Sequence, residues 1–114
     1  MSRARPRRRP PLEDRAAIFA ALGDGTRLSL VGKLSKGQPQ SISRLAEGST
    51  LSRQAITKHL RVLEGAGVVR SVRAGRESVF AFRPEPLREL QSYLEHVSGQ
   101  WDDALARLKS FVEK

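Results

Sequence analysis

Apolar residues recur along this chain with distinct periods, and each change of period marks an element boundary. From Glu13 to Leu22, Ile18, Phe19 and Leu22 fall on one face of a helix. Its acids sit in the first turn, where the helix dipole favours them, and Gly23 stops it. Asp24 is placed to cap a second helix, in which Leu28, Val31 and Leu34, three apart, form the inner face; Gly37 and Pro39 end it. Ser41 caps a short third helix, Ile42 to Glu47, that buries Ile42, Leu45 and Ala46. A Gly48-Ser49-Thr50 turn and Leu51 follow. Ser52 then caps a fourth helix, running to about Gly65, with Ile56, Leu60 and Leu63 as one buried stripe. Gly65 and Gly67 end it.

The pattern next changes to that of strands. Val68 to Val72 and Val79 to Phe82 are rich in β-branched and aromatic residues, with Gly75-Arg76 between them as a hairpin tip and Arg83-Pro84 closing the hairpin. Helical spacing returns over about 85–113. There Leu87, Leu90, Leu94, Val97, Trp101, Ala104, Leu108 and Phe111 alternate spacings of three and four through four heptads, with Leu105 beside them. Gly99 is the weak position of that helix, costing about 1 kcal/mol relative to alanine.

The expected architecture is mainly α with a small β-hairpin: α1-α2-α3-α4-β-β-α5, a winged helix-turn-helix over residues 12–114. The third and fourth helices with their small-residue turn form the helix-turn-helix, and the hairpin is the wing. An apolar stripe about 42 Å long, at 1.5 Å per residue, is too much surface for a monomer to expose. The final helix therefore predicts a homodimer, with Phe19, Leu87, Leu90, Leu94, Val97, Trp101, Leu105 and Leu108 at the interface.

Charge adds a direction to this picture. The 114 residues carry 21 Lys and Arg against 12 Asp and Glu, a net charge of +9. The excess is uneven. Residues 1–10 hold five arginines and no acid, residues 11–84 twelve basic and six acidic side chains, and residues 85–114 four and six. A polyanion bound by the first two-thirds fits that distribution. Residues 1–11, with three prolines and no apolar period, read as a disordered basic arm, suited to phosphates or a minor groove and equally to a solvated tail.

The fourth helix concentrates the candidate chemistry. With its apolar stripe inward, Arg53, Gln54, Thr57, Lys58 and Arg61 share the opposite side, and no carboxylate occurs from Arg53 to Leu63. Ordinary surface helices mix both signs, because Glu–Lys pairs favour the helix. Gln54 can pair with adenine, Arg with guanine, and Thr57 can offer a hydroxyl or methyl. Ser52 and Arg53 at the helix start suit a phosphate as well. In the wing, Arg70, Arg73 and Arg76 face one acid, Glu77; Arg73 and Arg76 lie near the tip, where they reach DNA or simply protect an edge strand. His59 and Trp101 read as packed residues, the latter in the dimer core.

Ala21-Leu22-Gly23-Asp24-Gly25-Thr26-Arg27-Leu28, followed by Leu30-Val31 and Leu34, resembles the early stretch of the ArsR/SmtB family of bacterial winged-helix repressors. Leu51 to Val69 resembles that family's recognition helix and following strand, and Gly75-Arg76 through Phe82 its wing. The likeness spans about 13–112. It implies a homodimer held by the first and last helices, recognition helices in two successive major grooves of double-stranded DNA, and repression released by an inducer, whose identity the sequence leaves open. The stretch from Trp101 to Lys109 looks like a branch lacking metal sites. Metal-sensing relatives carry a cysteine pair near the third helix, where this chain reads Gln38-Pro39-Gln40-Ser41-Ile42-Ser43. Others use Asp-x-His with a second His about eleven residues on; here His96 has Leu94 two before it and Arg107 eleven after. Neither set offers the converging N, S or O donors zinc takes, so no metal and no cofactor is expected.

Other classes are narrower. With no cysteine, two histidines, no Ser–His–Asp set and no phosphate-binding glycine loop, enzyme chemistry has no foothold. Asp102 and Asp103 point about 100° apart on a helix. No apolar run reaches the ~18–20 residues of a membrane span. The basic N-terminus leads into Pro10-Pro11 rather than an apolar segment, so a cytoplasmic protein without a secretory signal is expected. The alternative to a sequence-specific regulator is an architectural or protein-interaction module that binds DNA without specificity.

Overall fold

The computed structural model describes residues 12–113, with side chains from Asp14 to Glu113; the basic arm expected over residues 1–11 lies outside them. The order is α1 (Leu12–Leu22), α2 (Gly25–Ser35), β1 (Gln40–Ser41), α3 (Ile42–Ala46), α4 (Arg53–Gly65), β2 (Val69–Ala74), β3 (Glu77–Phe82) and α5 (Glu85–Val112). The winged helix-turn-helix expectation holds, with one added strand.

Three helices start where their caps place them. Asp24 Oδ2 accepts from Arg27 N at 3.0 Å, Ser41 Oγ from Arg44 N at 3.2 Å, and Ser52 Oγ from Ala55 N at 3.1 Å. Each bond satisfies an amide that has no partner inside its helix. The end of α4 is equally specific. Gly67, at φ +79°, donates to Glu64 O at 2.9 Å, and Val68 N donates to Leu63 O at 3.0 Å. This is a Schellman motif, which needs the left-handed residue glycine supplies. Gly65 is thus the helix's last residue rather than its stop.

The core gathers Ile18 and Ala21 of α1, Leu30, Val31 and Leu34 of α2, Leu45, the α4 stripe Ile56, Leu60 and Leu63, then Val68, Val69, Phe80 and Leu90. The second helix corrects the expected pattern. Leu28 is 54% exposed and Leu30 takes its place. At 100° per residue, Leu30, Leu34 and Val31 span one sector of about 100°, while Leu28 lies some 60° beyond Val31 and outside the contact.

The sheet is antiparallel in the order β1-β3-β2. Both hairpin strands run two residues further toward the tip than their apolar residues indicate, pairing Arg73 with Ser78 and Ala74 with Glu77 around the two-residue Gly75-Arg76 loop. Gly75 has φ +63° and Arg76 does not have a positive φ, the pattern of a II′ turn. The unexpected strand β1 pairs Gln40 with Phe80 and Ser41 with Val79, tying the start of α3 to the wing's inner strand.

The final helix is continuous through Gly99. Leu87 and Leu90 pack on the core, and Arg15 and Phe19 of α1 meet Tyr93: the Arg15 guanidinium lies 4.9 Å from the Tyr93 ring centre, and the Phe19 and Tyr93 rings meet edge to face at 6.5 Å. Beyond that point the helix leaves the core, and Leu94 is 51% and Trp101 64% exposed, with Leu105, Leu108 and Phe111 exposed further along. No helix among the described residues is long and apolar enough to cross a membrane.

Candidate nucleic-acid interface

The buried Ile56, Leu60 and Leu63 fix the rotation of α4 and leave Arg53, Gln54, Lys58 and Arg61 exposed, with Thr57 half-buried between them. Ser52, the N-cap, is exposed at the same end. These six residues form one surface. Its apolar neighbour is Ile42, the first residue of α3: Ile42, Arg53, Gln54, Thr57 and Lys58 together line a shallow cleft of about 400 Å³. The sequence marks Ile42 only as core, because a single apolar residue at a helix start carries no periodic signal of a second role.

Within this surface the side chains differ in freedom. Thr57 Oγ1 donates to the Arg53 carbonyl at 2.8 Å, so its hydroxyl is engaged with the backbone. Arg53, Gln54 and Lys58 make no hydrogen bond or ion pair to another side chain among the described residues. Arg61 is held: its guanidinium donates to Glu64 Oε1 at 2.7 Å and lies 5.6 Å from the centre of the buried Phe80 ring. Glu64 in turn accepts from Ser71 Oγ at 2.7 Å and from Ser71 N at 3.3 Å. The Ser71 hydroxyl, then Arg61, holds the Glu64 carboxyl below its ordinary range. Glu64, just past the carboxylate-free stretch, therefore neutralises part of Arg61's charge and joins α4 to the wing.

In the wing every residue from Arg70 to Glu77 is exposed, so neither face of the hairpin tip packs on the domain. Arg70, Arg73 and Arg76 carry cationic groups there. Behind the surface, His59 is a packed residue. Arg27, which can only donate, reaches His59 Nδ1 at 3.2 Å. The same guanidinium donates to the Ala21 carbonyl at 2.6 Å and the Ala20 carbonyl at 3.5 Å. The end of α1 is thereby tied to the middle of α4. Asp24 lies 3.9 Å from His59, and its carboxyl is lowered chiefly by the Arg27 amide.

No group of three or more His, Cys, Asp or Glu residues among the described residues is arranged to hold a metal. The interface residues expected on α5 all lie along one side of it, with Phe19 at the near end: Leu87 and Val97 half-buried, Leu90 buried, and Leu94, Trp101, Leu105 and Leu108 exposed. Phe19, Leu22, Leu87, Leu90 and Leu94 line a shallow apolar groove between α1 and α5.

Comparison with known proteins places this geometry. A family model described as a helix-turn-helix domain matches residues 22–72, from the end of α1 to the wing. The uncharacterized HTH-type transcriptional regulator YuzN of Bacillus subtilis is 42% identical over 80 residues, covering 65% of this chain and 87% of that protein. The HTH-type transcriptional regulator Rv2034 of Mycobacterium tuberculosis is 34% identical over 100 residues, 88% of each chain. Among solved structures, an ArsR-like transcriptional regulator from Rhodococcus superposes with a TM-score of 0.78 at 38% identity, covering 87% of this chain and 92% of that one. A fold, a helix-turn-helix match and relatives of this coverage agree: the chain belongs to the ArsR family of winged helix-turn-helix proteins, DNA-binding transcriptional regulators rather than enzymes.

Proposed function

We propose that the protein acts in the cytoplasm as a homodimeric repressor of an inverted-repeat operator, with α4 of each copy in a major groove. The observation that carries this reading is the exposed, carboxylate-free surface of Arg53, Gln54 and Lys58 at the capped start of α4. Donors without compensating acids attract phosphates, and a glutamine and an arginine on one face can discriminate bases. Ser52 and Arg53 hold the helix start against the backbone, Gln54, Thr57 and Lys58 face base edges, and Arg61 spans the edge of the site toward the wing. Arg73 and Arg76 grip the flanking backbone or minor groove, and the arginines of residues 1–11 add phosphate contacts that carry no sequence information. The stripe from Leu87 to Leu108 with Phe19 supplies the two-fold interface, since a monomer would leave its outer half in water. A small-molecule inducer would act by changing how the two α4 helices are spaced.

Footprinting tests this. A discrete two-fold footprint, weakened by about 1–3 kcal/mol in Arg53→Ala or Gln54→Ala, is expected. Uniform, salt-sensitive coating of any duplex, indifferent to both substitutions, would replace the regulator with an architectural DNA-binding module.

A further inference from the structure

The cleft at the start of α4 has a chemistry that the donor residues alone do not explain. Its lining combines the half-buried side chain of Ile42 with Thr57, whose hydroxyl already donates to the Arg53 carbonyl at 2.8 Å. With that proton engaged, the Thr57 hydroxyl can only accept, and its methyl group is the apolar surface it offers a ligand. Two aliphatic groups thus line one cleft together with Arg53, Gln54 and Lys58. Ile42 is fixed there by strand β1, whose Ser41 pairs with Val79 and caps α3 through Arg44 N at 3.2 Å.

In the major groove one base presents an apolar group beside an acceptor: thymine, with its C5 methyl next to O4. Arg53 and Lys58 can only donate. They suit O4 and oppose the N4 amine of cytosine, which is also a donor. Guanine has acceptors but no methyl. We propose that Ile42 and Thr57 form a seat for the C5 methyl of one thymine per half-site, making Ile42 a specificity-determining residue contributed by α3 rather than by the recognition helix. This rests on the base-reading role proposed above for α4.

The test uses the duplex that the full-length protein recovers from a random pool. Each thymine is replaced in turn by deoxyuridine, which removes only the methyl. One thymine per half-site should then lose about three- to fivefold in affinity, the scale of one buried methyl. Thr57→Ser, which keeps the hydroxyl and its bond to the Arg53 carbonyl, should abolish that difference between thymine and uracil, and so should Ile42→Ala. A preferred sequence in which no thymine responds, or a response intact in both variants, overturns the methyl seat and leaves base reading by α4 standing. Failure to recover any preferred sequence removes base reading itself, and the seat with it.

Discussion

Glu64 accepts a hydrogen bond from the Ser71 hydroxyl at 2.7 Å, and that contact joins the last turn of the recognition helix to the first half of the wing. The second carboxylate oxygen takes the Arg61 guanidinium at 2.7 Å. One acid therefore contacts both the wing and the last arginine on the α4 surface.

This clamp should respond to acid in a defined sense. The Glu64 carboxyl is lowered below its ordinary value of 4.5 by the Ser71 hydroxyl first and Arg61 second. A depressed carboxyl contributes stability that is complete above pH 4.5 and is lost as pH falls through the lowered value. Thermal unfolding of the wild type should lose stability below pH 4.5 more steeply than Glu64→Gln, with Asp24 contributing its own acid loss to both. Amide exchange at Ser71 in Glu64→Gln should be faster at neutral pH. Parallel acid profiles and unchanged exchange would mean that the clamp does not hold the wing.

Arg27 is a strut between the expected dimer helix α1 and the recognition helix. Its guanidinium caps the Ala20 and Ala21 carbonyls and donates to His59. Arg27→Ala should lower unfolding free energy by about 1–3 kcal/mol. Arg27→Lys should recover little of it, because an ammonium cannot present a planar fork to partners on two helices. Full recovery by lysine in chemical denaturation would reduce the strut to a simple charge.

Two glycines make opposite predictions. Gly99 sits inside α5 with open space where a Cβ would lie, on the side away from the Leu94, Trp101 and Leu105 stripe. Gly99→Ala should stabilise the protein by about 0.5–1 kcal/mol without weakening association. Gly67, at φ +79°, closes α4, and Gly67→Ala should cost about 1 kcal/mol or more although its Cβ would meet nothing nearer than Pro86 Cγ at 3.8 Å. Unfolding curves for the two variants check both signs.

The single tryptophan reports on the proposed dimer directly. Trp101 is 64% exposed in one chain. If the α5 stripe is the interface, its emission should be blue-shifted at micromolar concentration and move to the red on dilution, in step with sedimentation. Leu105→Glu should give the red-shifted monomer throughout and lose operator affinity. Water-exposed emission from a sedimenting monomer at every concentration would leave the long helix without its proposed partner.

Much of this molecule was legible locally. The caps Asp24, Ser41 and Ser52 each act within three residues, so side-chain chemistry and spacing revealed them, and the 3–4 alternation from Leu87 to Leu108 marked α5 without any tertiary information. What was not legible depends on partners distant in sequence. Two residues of β1 have no period of their own; Phe80 and Val79 make them a strand. Leu28 fits a three-residue spacing as well as Val31 and Leu34 do, and only the position of the core between α2 and α4 excludes it. The same holds in the site. Arg53, Gln54 and Lys58 follow from one helical face, whereas Ile42 sharing a cleft with Thr57, and Ser71 holding Glu64, are adjacencies that exist only once α3, α4 and the wing have packed.

The central claim is that the exposed face at the start of α4 reads bases and does so twice, in two-fold register. Selection of duplexes from a random pool by the purified full-length protein tests it most directly. The recovered sequences should converge on an inverted repeat with half-site centres about 10–10.5 base pairs apart, or a multiple of it, and Gln54→Ala should relax the preference at symmetric positions. A recovered pool indistinguishable from the input, or a preference that Gln54→Ala and Arg53→Ala leave untouched, would contradict it.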